Sequence, residues 1–117
     1  MLHSDIALEF LQHISFECNY ILDDTKDISQ EDFMGNERLK RAIVRSLEII
    51  GEAANHLPPE FQARHIEIDW KEMIGMRHKL IHHYFGVDYD IVWNTIHTNI
   101  EPLKEWLDFV IPKLLIQ

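Results

Sequence analysis

The stretch Asp69-Trp70-Lys71-Glu72-Met73-Ile74-Gly75-Met76-Arg77-His78-Lys79-Leu80-Ile81-His82-His83-Tyr84-Phe85-Gly86-Val87-Asp88 decides how this chain folds. Asp69 and Glu72 stand three apart ahead of an apolar series, the spacing of a capping box whose two carboxylates cover the first free N–H groups of a helix. Ile68 and Met73 flank that start at the distance of a hydrophobic staple. Gly86 supplies a left-handed residue to end the helix, and Asp88 can cap the next one. The signals predict a helix over 70–85. Its last two turns carry an arginine, a lysine, three histidines and a tyrosine, more protonatable material than a helix serving only as core requires.

Working outward, the same helical grammar covers the chain. Ala7, Leu11, Ile14, Cys18 and Ile21 recur at spacings of three and four, predicting a helix from residue 5 to about 24 with Ser4 as its cap. A polar connector, 23–27, leads to a short turn capped by Ser29 and ended at 34–36. Leu39, Ile43, Leu47, Ile50, Ala54 and Leu57 mark a second long helix from Glu37 to about His56. Gly51, Ala53 and Ala54 interrupt it with small residues. A mid-helix glycine costs about 1 kcal/mol relative to alanine, so another helix is expected to approach there. Pro58 and Pro59 end that helix and begin one short turn. From Asp88 to about Leu115, Trp93, Ile96, Ile100, Leu103, Leu107, Val110 and Leu114 define a last buried face, with Pro102 expected to bend or break it. No segment alternates with period two for long enough to make a strand. The expectation is all-α, an antiparallel bundle of four main helices plus short helical turns, forming a single domain over 1–117.

Composition narrows the function classes. The chain has 117 residues, 46% of them apolar, one cysteine and a formal net charge of −9. No apolar run approaches the ~18 residues of a membrane span, the N-terminus lacks the pattern of a signal peptide, and a lone Cys18 fits a reducing compartment. These features predict a cytoplasmic protein. The negative charge argues against nonspecific coating of nucleic acid. It is uneven, however: residues 1–36 hold eight acids and one base, 37–79 seven and eight, 80–117 five and two. Contact with nucleic acid therefore falls to the central third, which contains Arg38, Lys40, Arg41, Arg45, Arg64, Lys71, Arg77 and Lys79. A solvated helix surface is the ordinary alternative for such residues.

The pattern Arg-x-x-x-x-His-x-Tyr at Arg77, His82 and Tyr84 resembles the signature of HEPN domains, and more narrowly that of the HepT family of toxin ribonucleases. The resemblance includes Leu47–Asn55 (LEIIGEAAN), Trp70 and Tyr84–Trp93 (YFGVDYDIVW), and spans essentially the whole chain. It implies a HEPN-like helical fold and a dimeric endoribonuclease that needs no metal and no cofactor, leaving a 2′,3′-cyclic phosphate and a 5′-hydroxyl. It also implies a minimal nucleotidyltransferase antitoxin as partner, which transfers AMP to the motif tyrosine, here Tyr84. The residue types suit the chemistry. A histidine titrates near neutrality and can move protons, and a planar, permanently charged guanidinium can hold phosphate.

Several assignments stay open at this level. On an ideal helix Arg77 and His82 project ~140° apart, so either the helix distorts or a second protomer completes the site. Arg77 and Tyr84 lie within ~20° of each other on the same basis. His78 stands where Asn or Asp is common in the family, and reads as a catalytic partner or as a neutral substitute. Glu52 either orients Arg77 or is an ordinary exposed glutamate. His78 and His82 have the spacing of two zinc ligands, but no third ligand accompanies them. Two other functions compete with the ribonuclease: a non-catalytic HEPN module that binds nucleotide or a nucleotidyltransferase, and a purely structural adaptor.

Overall fold

The structure, a computed structural model, describes residues 3–82 and 86–116, with only the backbone for His3, Ser4 and His82. Helix α1 (His3–Thr25) begins at His3, so Ser4 lies inside it and is not its cap. It also runs to Thr25, three residues into the polar connector 23–27. The stripe itself is as expected, with Ala7, Leu11, Ile14, Cys18 and Ile21 all inaccessible to solvent. Asp27, at φ 61°, turns the chain. Ser29 then closes a reciprocal capping box with Asp32 at the start of α2 (Gln30–Met34). So short a helix has little stability of its own. It is held by Phe33, fully buried with its ring 5.2 Å from that of Trp93.

Asn36 caps α3 (Glu37–Asn55) by accepting from Leu39 N–H. The small-residue segment in α3 has the packing role its sequence suggests. A Cβ on Gly51 would stand 2.8 Å from the Met73 carbonyl oxygen and 3.7 Å from Met76 Cβ. After α4 (Pro59–Arg64) come α5 (Trp70–Ile74) and α6 (Met76–Leu80). The Trp70 indole donates to His65 O and the Trp106 indole to Glu67, each at 2.9 Å, and their rings meet edge to face at 5.6 Å. This corner pins the entry of α5 against the last helix.

The chain ends in α7 (Tyr89–Thr95), one π-helical segment (Ile96–Ile100) and α8 (Glu101–Leu115). Pro102 does not break this helix. Proline lacks an N–H and crowds the carbonyl four residues back. The helix widens just before it, with Glu101 N–H reaching Ile96 O, and resumes with Pro102 in its first turn. At the same junction the buried Thr95 hydroxyl finds no partner among the described residues.

The architecture is thus all-α: α1, α3, the α5–α6 pair and the α7–α8 rod surround one core, with α1 packed on both α3 and α8. One departure from the expected absence of strands is a two-residue antiparallel pair, β1 (Ile81–His82) with β2 (Gly86–Val87). Among the described residues no helix is long and apolar enough to cross a membrane.

Candidate active site

Asp69 caps α5 by accepting from Glu72 N–H at 2.9 Å. The return half of the expected capping box is absent. The Glu72 carboxylate instead accepts from Lys79 Nζ at 2.9 Å and from Asn99 Nδ2 at 3.0 Å. These bonds hold the Glu72 carboxyl below its ordinary value, Lys79 contributing most and Asn99 next. They also tie three elements together: α5, α6 and the π segment, whose widened turn carries Asn99.

The motif segment is not one helix over 70–85. It breaks at Gly75, a residue with weak helix propensity, and α6 ends at Leu80. Ile81 is extended (φ −101°, ψ 122°), a conformation that suits its β-branched side chain. The chain then pairs back on itself, His82 opposite Gly86 and Ile81 opposite Val87. Asp88 N–H donates to Leu80 O at 2.9 Å, closing the turn, and Asp88 caps α7. Gly86, at φ 76°, serves this return strand and does not terminate a helix.

This break removes the ~140° objection, which assumed that Arg77 and His82 share one helix. Arg77 stands in the last turn of α6, and His82 follows two residues after the helix has ended. The ideal-helix alignment of Arg77 with Tyr84 lapses for the same reason. Tyr84 and His83 lie outside the described residues, as does the side chain of His82.

The Arg77 side chain is exposed and lines a cleft of about 300 Å³ with Ile74 from α5 and Arg45, Glu48, Gly51, Glu52 and Asn55 from α3. Glu52 therefore shares the cleft with Arg77. Among the described residues no hydrogen bond or ion pair joins the two. His78 is exposed on α6. Among the described residues no three His, Cys, Asp or Glu side chains come together as a metal-binding group.

The central basic residues separate once folded. Lys40 is buried, bonded to Glu37 at 2.8 Å and lying 4.5 Å over the Tyr89 ring. Lys79 is taken by Glu72. Arg45 belongs to the Arg77 cleft and had no distinguishing mark in sequence beyond its place in a basic segment. Its spacing of seven from Glu52, one helical face, was the available signal. Asn55 carried the same signal, seven residues past Glu48 in the segment Leu47–Asn55, whereas Asn99 carried none.

Such a cleft, two guanidinium groups beside two carboxylates and one amide, offers donors for a phosphate and polar groups for the edges of a nucleotide. A family model described as Ribonuclease HepT-like matches residues 7–110. The chain is 49% identical over 104 residues to a protein of Caldanaerobacter subterraneus subsp. tengcongensis named a putative RNase, covering 89% of this chain and 93% of that one. It is 43% identical over 96 residues to a protein of Thermococcus cleftensis named probable ribonuclease HepT, covering 82% and 87%. A putative RNase of Methanocaldococcus jannaschii is 37% identical over 101 residues, covering 86% and 93%. No solved structure matches the chain.

Proposed function

The chain belongs to the HepT-like ribonuclease family, and from that premise we propose that it is a metal-independent endoribonuclease, the toxin of a toxin–antitoxin pair. The observation that carries this reading is Arg77, an exposed guanidinium in no close ion pair with a described carboxylate, lining a cleft and five residues before His82.

In the proposed reaction the ribose 2′-oxygen attacks the adjacent phosphorus. His82 accepts the 2′-hydroxyl proton, Arg77 stabilises the charge that builds on the phosphorane, and the bond to the 5′-oxygen of the next nucleotide breaks. The leaving oxygen takes a proton, giving a 2′,3′-cyclic phosphate and a 5′-hydroxyl. A second copy of the chain, related by a two-fold axis, brings a second Arg77 and His82 to the same cleft and supplies the group that protonates the leaving oxygen. His78 is a candidate for assisting in this proton transfer.

Silencing follows if the Tyr84 phenol oxygen attacks the α-phosphorus of ATP on a partner nucleotidyltransferase. Pyrophosphate leaves, the phenolic proton is lost, and the AMP ester places bulk and negative charge beside the site. The competing reading, a binding module without cleavage, makes opposite predictions. Arg77→Ala and His82→Ala should each lower RNA cleavage by at least ~10² with helical content and oligomeric state preserved, and EDTA should have no effect. Cleavage that persists in both variants, or stops with EDTA, would reject the chemistry. Co-expression with the partner enzyme should raise the intact mass by one AMP in the wild type and leave Tyr84→Phe unmodified.

A further inference from the structure

α3 carries three arginines, Arg38, Arg41 and Arg45, spaced three and four apart. That spacing keeps them within about 60° on one helical face, rising ~5 Å from each to the next. All three are exposed, and Arg45 lines the same cleft as Arg77. Among the described residues no carboxylate lies within ion-pairing distance of these four guanidinium groups. Arg41 stands one turn from each of the other two, and like charges at these spacings oppose helix formation; Glu37, four residues before Arg41, and Glu48, three after Arg45, flank the row at its two ends. In a chain of net charge −9, three exposed arginines on one helical face, none in a close ion pair with a described carboxylate, are not explained by folding.

The packing also fixes which way the row runs. Gly51 of α3 meets Met73 of α5, while Lys40 of α3 reaches over Tyr89 of α7. Tyr89 follows Asp88, whose N–H is bonded to Leu80 O. Therefore α3 runs antiparallel to the motif segment. Moving from Arg77 towards the end of α6 and β1 corresponds to moving along α3 from Arg45 to Arg41 and Arg38. Lys40 lies on the opposite, buried face of α3 with Ile43 and Leu47, and turns to Glu37 and Tyr89. Glu48 and Glu52 continue the face beyond Arg45, and Glu37, bonded to Lys40, stands at the other end.

We propose that Arg38, Arg41 and Arg45 form a track for the backbone phosphates of single-stranded RNA next to the bond that is cut. The inference rests on the ribonuclease reading of Arg77 and deepens it. The track binds successive phosphates on one side of the cleaved bond, so the enzyme favours an extended strand over a dinucleotide and carries little base preference there.

The test uses the full chain, wild type and Arg38→Gln/Arg41→Gln, with oligoadenylates of two to eight nucleotides and a 2′-O-methyl octamer that cannot be cleaved. In the wild type, kcat/KM should rise with length and fall with salt. In the double variant the length dependence should flatten, with KM for the octamer up by about tenfold at 0.15 M salt. Octamer binding, measured by fluorescence anisotropy, should lose about 1.4 from the slope of log K against log salt, 0.7 for each phosphate contact. Equal affinity and slope for the two proteins would overturn the track. So would an unchanged slope accompanied by loss of binding to the partner nucleotidyltransferase, which would assign the row to a protein interface. Absence of cleavage by the wild type, with the binding difference intact, would reject the ribonuclease reading and leave the track standing.

Discussion

Replacing Gly51 by alanine sets two known effects against each other at the joint that fixes the width of the Arg77 cleft. Alanine gains about 1 kcal/mol of helix propensity over glycine. Its methyl carbon would lie 2.8 Å from the Met73 carbonyl oxygen, with the Ile74 oxygen and Met76 Cβ at 3.7 Å. Ordinary contact needs roughly half an ångström more. The obstructing atom is backbone, in a segment tied by the Asp69 cap and the Glu72 bonds, so it cannot swing aside as a side-chain end would. Overpacking of this kind costs about 1–3 kcal/mol, and a backbone obstacle argues for the upper part of that range. Gly51→Ala should therefore be less stable than wild type by about 1–2 kcal/mol, a fall in melting temperature of roughly 4–8 °C at this chain length. Urea unfolding followed by circular dichroism, with an unchanged m-value, would isolate the effect to the native state. A variant as stable as wild type, or more so, would show that propensity wins and that Gly51 does not set the approach of α3 to α5.

Two further outcomes concern single groups away from Arg77. The Glu72 carboxyl is lowered on folding, mainly by Lys79 and then by Asn99. It therefore adds stability above its ordinary value of 4.5 and loses it as pH falls through the lower folded value. The stability difference between wild type and Glu72→Gln should be constant near pH 7, under about 1 kcal/mol because the pair is part-exposed, and should shrink below pH 4.5 in acid titrations of unfolding. A difference that grows in acid would refute this. Burial pushes the Cys18 thiol up to about 12, against a smaller opposing effect from Lys104. At pH 8 the native protein should resist a thiol-specific reagent and react only as fast as it opens; rapid labelling without denaturant would contradict that burial.

Much of this molecule is legible in its sequence because much of it is local. The recurrence of Ala7, Leu11, Ile14, Cys18 and Ile21, or of Ile43, Leu47 and Ile50, fixes a helix and its buried face without reference to the rest of the chain. Ser29, Asn36, Asp69 and Asp88 cap helices by bonds to residues at most three positions ahead. Gly51 announces a close neighbour, though not which one. The motif residues and the family they resemble are also read directly from the chain.

What tertiary structure alone decided are choices between equally local alternatives. Glu72 could have closed its capping box, but Lys79 and Asn99 offered a better bonded place between three elements. The motif helix could have continued past Leu80; the return pairing of β1 with β2 and the bond from Asp88 to Leu80 O ended it, changing how His82 relates to Arg77. The helical period puts Lys40 on the buried face with Ile43 and Leu47, but only the packing brings its ammonium over the Tyr89 ring. The helical period tells which residues share a face. Only the packing of one helix against another tells what that face meets.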